Sequence, residues 1–367
     1  MEKVGIITFH HAKHSYGAIL QAYATLSMVR KLGFDAEIIN YTNKYEQKEL
    51  KFCQKGLKNN IYMIISWIAR NYIYNGIKNP CRNKRKLNCL YKNISKRYRS
   101  IKELNKTEYS ILISGSDQIW NPEVTGMLDE AFLLNFGNPY KKISYASSIG
   151  SYRFTSEENN ILKKNLSNFD YLSVREQYAA DALEKIYDGN IQVVCDPTLL
   201  LTGDEWEKLF FEEIQNKKET GKYILTYFVG ANIDTYWERI EKFVNQKKLP
   251  VYNIQSHSKK YKHVDKAIYN IMPGDLVGYI RNADIVLTDS YHGTVFSINM
   301  KKNFVAVLNE NNPVRVQNLL NELGLMNRID ERLDNCLEEV KYNDIEEKIN
   351  KLRTASINWL IKALTNN

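Results

Sequence analysis

The sequence predicts an α/β protein made of two doubly wound lobes in series, each around a mostly parallel sheet. Three observations point there. Short apolar runs of strand length alternate with segments of helical periodicity. The alternation occurs twice, with a polar helical passage, "TGDEWEKLFFEEIQNKKETGK", between the two sets. And 367 residues, 44% hydrophobic, exceed the roughly 250–300 residues at which a single core stops growing.

Taken in order, "KVGIITF" (Lys3–Phe9) is the first strand. Ile19, Ala22, Tyr23, Leu26 and Val29 then recur at helical spacing, and Gly33 supplies a stop. "AEIINY" (Ala36–Tyr41) completes a strand–helix–strand unit. Strands follow at "SILIS" before the polar turn "GSDQIWNP", at "KISYASS", "YLSVRE" and "IQVVCDP", with a helix over Gln177–Ile186. The second set opens on "YILTYFV" and continues with a helix near Asp234–Gln246 and the strand "PVYNIQ". The helix "GDLVGYIRNA" and the strands "DIVLTDS" and "NFVAVL" come next. Helices over Val314–Leu323 and Asp344–Leu364 finish the chain. The expected lobes are 1–205 and 206–345, with 346–367 a terminal helix able to pack back on the first lobe.

The net charge of +9 has one source. Residues 51–102 hold 14 Lys or Arg and no Asp or Glu, whereas the remainder carries 37 basic against 42 acidic residues. This predicts a basic helical insertion in the first lobe, over 51–105. Interleaved Tyr, Trp and Ile suit amphipathic helices lying on anionic lipid; a solvated helical face is the alternative. No nucleic-acid motif accompanies the charge, so nucleic acid is not expected as a partner. The start shows no secretory signal, and the most apolar run, Ile61–Ala69, is far short of the ~20 residues of a membrane span. Five scattered cysteines with no C-x-x-C spacing speak against zinc and redox-dithiol chemistry. The expectation is a cytoplasmic protein, with the basic segment available for peripheral attachment to the inner membrane face.

In open α/β sheets ligands bind beyond the carboxyl ends of strands, which selects Ser114–Asp117, Arg175, Asp196 and Asp289–His292. In "TDSYHGT", Asp289 and Ser290 end a strand, while Gly293 and Thr294 are read as opening the next helix, whose free N–H groups suit an anion. His292 beside that anion can act as a general acid, a role that suits imidazole chemistry; a capped turn with a structural histidine is the plainer reading. Arg175 ends an apolar strand and suits bidentate anion binding, or else an ion pair with Glu176 or Asp181. Ser116 and Asp117 occupy a tight turn where a carboxylate can meet a sugar hydroxyl, although such turns also cap helices. Asp196-Pro197 reads as a strand-ending turn. Tyr16 and Gly17 lie at the first strand–helix junction, which lacks the dinucleotide and P-loop glycine patterns. Arg315, at a helix start, is a second anion ligand. His10 and His11 straddle the end of strand one, so at most one faces a ligand.

Taken together in order, "SYGAILQAYATLSMVRKLGFDAEIINY", "ISGSDQIWNP", "YASSIG", "LSVRE", "VVCDPTLLL", "ADIVLTDSYHGTVFSINMKKNFVAV" and "PVRVQNLLNELGL" resemble the polysaccharide pyruvyl transferase family, from about residue 4 to residue 328. The resemblance implies two Rossmann-like lobes similar to GT-B glycosyltransferases. It implies transfer of a pyruvyl group from phosphoenolpyruvate to sugar hydroxyls as a ketal, in surface or exopolysaccharide biosynthesis. It makes Arg175 the donor-binding arginine, His292 the essential histidine and Asp117 the acidic turn residue. Tyr16, Gly17, Ser116, Asp289, Ser290, Gly293, Thr294 and Arg315 are the expected substrate contacts. Relatives usually carry Asn-Tyr-Gly where this chain has Ser15-Tyr16-Gly17. No metal or cofactor is expected beyond phosphoenolpyruvate as co-substrate, and the acceptor is a sugar or lipid-linked oligosaccharide. The alternatives are a GT-B-type glycosyltransferase using a nucleotide sugar and a non-catalytic scaffold of polysaccharide assembly.

Overall fold

The computed structural model describes residues 2–10, 16–43, 45, 93–216, 221–255, 259–269, 271–308, 313–330 and 338–366. Most of the basic segment, with its expected lipid-facing helices, lies outside the described residues, as do His11 and Ser15.

The described residues form two compact units. The first comprises Met1–His10, Leu26–Arg175 and Ala179–Val193; the second comprises His11–Thr25, Glu176–Tyr178 and Val194–Asn367. The two lobes expected from the sequence meet at 205/206, whereas here residues 194–205 and the terminal helix both cluster with the second unit. Hydrogen bonding explains this. Residues 195–201 are hydrogen-bonded to three helices of that unit, with Arg353 of the terminal one donating to the Leu199 carbonyl and Ser356 accepting the Cys195 N–H.

In the first unit all six strands are parallel: β1 (Lys3–Ile7), β2 (Asp35–Ile38), β3 (Ile111–Ser114), β4 (Lys141–Ser147), β5 (Tyr171–Val174) and β6 (Ile191–Val193). Their order is β2-β1-β3-β4-β5-β6. The chain therefore reverses its direction of strand addition between β1 and β3, the crevice where such folds bind ligands. Strands β3 and β4 are buried on both faces, as expected when helices cover both sides of a parallel sheet. The helices are α1 (Tyr16–Lys31), α2 (Ile101–Leu104), α3 (Pro122–Thr125), α4 (Ser156–Leu166) and α5 (Gln177–Leu183); Tyr16–Thr25 of α1 falls in the second unit. Helix α4 is absent from the sequence reading, although Thr155 and Glu158 form a full capping box at its start.

The second unit has α6 (Gly203–Leu209), α7 (Phe211–Asn216), β7 (Ile224–Tyr227), α8 (Ile233–Lys247), β8 (Val251–Ile254), β9 (Lys266–Ile268), α9 (Pro273–Asn282), β10 (Ile285–Thr288), α10 (Tyr291–Asn299), β11 (Asn303–Ala306), α11 (Val314–Leu323) and α12 (Tyr342–Thr365). Its strands, again all parallel, run in the order β11-β10-β7-β8-β9. The switch point lies between β7 and β10. A core of Ile224, Leu287, Val305, Ile240 and Phe243 seals the sheet against α8. The polar passage 202–222 supplies α6 and α7, which belong to this unit rather than standing between two. Among the described residues, no helix is long and apolar enough to cross a membrane.

Candidate functional site

Each switch point carries a polar cluster. In the first unit, Thr8 beyond β1 donates its hydroxyl to the carbonyl of Ser116 beyond β3 (2.6 Å), tying the two sides of the crevice together. The buried His10 has its Nδ1 2.9 Å from the Thr8 carbonyl. Gly115 leaves no room for a side chain, because a Cβ there would stand 2.9 Å from the Thr8 Cβ. Asp117 follows with φ 78°, in the left-handed region that costs a non-glycine residue free energy. Its carboxylate accepts the Gln118 N–H (2.9 Å), and its carbonyl accepts the Ser148 N–H (3.0 Å).

Strand β4 is irregular at the same level. Ala146 has φ 53° and the pairing register with β5 shifts between Ser144 and Ser147. Four buried serines bridge the distortion. Ser144 donates to the Ser173 carbonyl (2.6 Å), Ser173 to the Ser144 carbonyl (2.7 Å), and Ser147 to the Gly115 carbonyl (3.0 Å), while the Ala146 N–H donates to Ser173 Oγ (3.1 Å). Ser114, the fourth, donates to the Phe132 carbonyl (2.7 Å). Arg175, directly after β5, is buried and hangs from this bulge by its own N–H to the Ser147 carbonyl (3.3 Å). Two left-handed residues on neighbouring strand ends, joined by an Asp117–Ser147 bridge, concentrate backbone strain where the expected chemistry sits. The sequence reading names Ser116, Asp117 and Arg175 but not the serine scaffold beneath them.

In the second unit, α10 begins at Tyr291, two residues earlier than the sequence suggests. Ser290 is its N-cap, accepting the Gly293 N–H on Oγ (3.2 Å) and the Thr294 N–H and hydroxyl on its carbonyl (2.9 and 3.1 Å). His292 therefore sits in the first helical turn, not in a loop. Gly293 is required by packing, since a Cβ would collide with Thr288 Oγ1. Asp289 is occupied: its carboxylate accepts the N–H groups of Val229 (2.7 Å) and Gly230 (2.9 Å) and the Tyr236 hydroxyl (3.1 Å). It thus fixes the β7–α8 loop across the switch point, and burial pushes its pKa up despite these donors. In this geometry Asp289 and Gly293 support the residues around them.

His292 itself is buried between two neighbours. Its Nε2 lies 3.6 Å from Asp196 Oδ2. Its ring lies flat against Gly17, where a Cβ would collide with Nδ1 and Cγ and stand 2.7 Å from Cε1. The first turns of α1 and α10 consequently converge on one imidazole. Two positive helix ends at one point favour an anion. Arg315, in the first turn of α11, places its guanidinium 5.7 Å from the centre of the Tyr291 ring, which meets the His292 ring edge-to-face at 5.3 Å. Tyr16 and Tyr227 flank the same end of the sheet, their rings 6.3 Å apart. Burial, with Asp275 nearby, raises Tyr16 to about 12, and burial raises Tyr227 as well, so both hydroxyls remain proton donors at neutral pH. Of the expected contacts, the structure gathers Tyr16, Gly17, Ser290, His292, Thr294 and Arg315 in the second unit. Ser116, Asp117 and Arg175 belong to the first.

Comparison with known proteins bears on what this arrangement does. A sequence model described as polysaccharide pyruvyl transferase matches residues 16–311. No curated protein sequence matches the chain. Among solved structures, the chain is similar to UDP-GlcNAc 2-epimerase from Neisseria meningitidis bound to UDP-GlcNAc, with TM-score 0.53, 9% identity and 100% of both chains covered. It is also similar to UDP-GlcNAc 2-epimerase from Methanocaldococcus jannaschii, with TM-score 0.52, 15% identity, and 94% of this chain and 93% of that one covered. At such identities the likeness speaks to fold: two Rossmann-like units of the kind found in GT-B enzymes.

Proposed function

We propose a specific reaction for this chain, which belongs to the polysaccharide pyruvyl transferase family: transfer of the pyruvyl group of phosphoenolpyruvate to two hydroxyls of a sugar acceptor, as a ketal. The observation that carries this reading is the convergence of two helix N-termini on the buried His292, with Arg315 over the ring of the neighbouring Tyr291. That environment suits a small, multiply charged donor with a proton to receive. Phosphoenolpyruvate presents a carboxylate and a phosphate on one enol carbon.

The chemistry assigns each group a task. His292 as imidazolium gives its proton to the methylene carbon, which becomes a methyl group. A sugar hydroxyl forms a C–O bond at the adjacent carbon and gives up its proton; accepting it is the task that the resemblance assigns to Asp117. The bond to the phosphate oxygen then breaks, phosphate departs, and a second hydroxyl forms the second C–O bond and loses its proton. Of the two hydroxyl protons released overall, one replaces that given by His292 and the other leaves with phosphate. Arg175, by resemblance, binds an anionic group of the donor, and helix ends with Arg315 offset the charge of the departing phosphate. Acceptors of surface-polysaccharide type, free or lipid-linked, are the expected substrates.

A glycosyltransferase using a nucleotide sugar is the second reading, favoured by the GT-B-like fold. Thermal-shift measurements separate the two. Phosphoenolpyruvate should raise the Tm of the full chain and His292→Ala should reduce that shift. Stabilisation by UDP or GDP with none by phosphoenolpyruvate would favour the nucleotide sugar.

A further inference from the structure

We propose that Asp196 is a positioning residue for His292: it holds the Nε2–H and leaves Nδ1, on the Gly17 side, as the nitrogen that exchanges a proton with substrate. This rests on the reading of His292 as the acid and adds to it which nitrogen acts and what sets it.

Asp196 looks structural from sequence, and half of it is. It caps the turn Pro197–Leu199, with Oδ1 accepting both the Thr198 N–H (2.9 Å) and the Thr198 hydroxyl (2.6 Å). Those two donors fix the rotation of the carboxylate and turn Oδ2 towards His292 Nε2 at 3.6 Å. The two side chains are 0% and 8% exposed respectively. A 3.6 Å approach is longer than a hydrogen bond, and contacts of this kind tighten when substrate binds.

The peptide that carries Asp196 is held unusually well. Asn299, at the end of α10, donates Nδ2 to the carbonyls of Thr198 (3.1 Å) and Leu201 (2.9 Å). Trp206 of α6 donates Nε1 to the Thr198 carbonyl (3.0 Å). Arg353 of α12 donates Nε to the Leu199 carbonyl (2.6 Å), and the Cys195 N–H donates to Ser356 Oγ of the same helix (2.9 Å). Three helices thus pin the segment, and one of them, α10, carries His292 in its first turn. The carboxylate and the imidazole are set relative to each other by a single rigid element.

A buried carboxylate facing Nε2 favours a proton on that nitrogen. In the neutral ring the lone pair is then on Nδ1; in the imidazolium the transferable proton is there. Replacing Asp196 by Asn does not merely remove a charge. Thr198 would keep the amide oxygen, so the amide NH2 would face Nε2 and favour the opposite tautomer. In serine hydrolases the same substitution in the triad is damaging for this reason.

The test uses the full chain with 15N-labelled histidine. Long-range 1H–15N spectra above the imidazole titration, with His292 identified by its loss in His292→Asn, report the tautomer. The expected results are Nε2–H in the wild type and in Asp196→Glu, and Nδ1–H in Asp196→Asn. Phosphate release from phosphoenolpyruvate should fall about 10²–10³-fold in kcat for Asp196→Asn, with KM for phosphoenolpyruvate changed less than about threefold. An Nδ1–H wild type, or an Asp196→Asn variant with the wild-type tautomer, overturns the proposal. The wild-type spectrum decides even if the variant does not fold. A wild type that releases no phosphate yet shows Nε2–H contradicts the reaction and leaves the positioning intact.

Discussion

Gly17 and His292 define the site at the scale of single residues. The glycine has no special backbone angle; its requirement is steric, because the imidazole occupies the space of a Cβ. Gly17→Ala should therefore displace the ring rather than unfold the chain. Misplacing a catalytic group by about 1 Å can cost on the order of 10²-fold, so kcat for phosphate release should drop by about that factor while the circular dichroism spectrum is unchanged. Retained activity would mean that the ring does not act from this position. His292 is legible in the sequence because "TDSYHGT" follows an apolar strand and resembles a family motif. Gly17 is legible as a junction glycine but not as a spacer, since its neighbour is remote in the chain. Asp196 is legible only in part, for the same reason. A carboxylate before proline looks like a cap, and it is one, but its second oxygen has a partner that only folding reveals.

At the scale of elements, α10 is the organising piece. Its first turn presents His292 and its last residue grips the segment bearing Asp196. Asn299→Ala removes both donations; the Thr198 carbonyl keeps Trp206 Nε1 while the Leu201 carbonyl loses this donor, at a cost of about 1–3 kcal/mol. The expected outcome is a lower Tm together with a lower kcat and an unchanged KM for phosphoenolpyruvate; a lower Tm with full kcat would show that α10 stabilises without positioning. Lys302, just beyond α10, makes an electrostatic prediction. Burial, reinforced by Arg281, lowers its pKa below the ordinary 10.5, while Asp284 and Glu207 pull the other way. Its ammonium donates to the Arg281 carbonyl (3.2 Å). Between the folded value and 10.5 the unfolded chain holds more protons, so stability rises with pH in that window. Lys302→Met should raise the Tm at pH 7 and flatten the rise towards pH 10; a lower Tm at pH 7 would contradict this. Element identities were largely readable from periodicity. The three-residue β9 was not, because "KAI" at a sheet edge is too short to show a period. Helix α4 carried a readable cap that its polar sequence obscures.

For the whole molecule, two doubly wound sheets each place polar residues at their own switch point, and the two strand orders differ. The number of lobes and the parallel sheets follow from strand-length runs alternating with helical ones. The division of the chain between units does not, because α1 and residues 194–205 are assigned by packing and hydrogen bonds rather than by pattern. Pyruvyl transfer itself can be followed in a single experiment. The full chain is incubated with phosphoenolpyruvate and a panel of free and lipid-linked sugar precursors, following phosphate and acceptor mass together. One acceptor class should gain a pyruvyl ketal with one phosphate released per ketal, and His292→Ala should lower the rate about 10²–10⁴-fold. Consumption of a nucleotide sugar with phosphoenolpyruvate untouched across the panel, or an unimpaired His292→Ala, would contradict this chemistry.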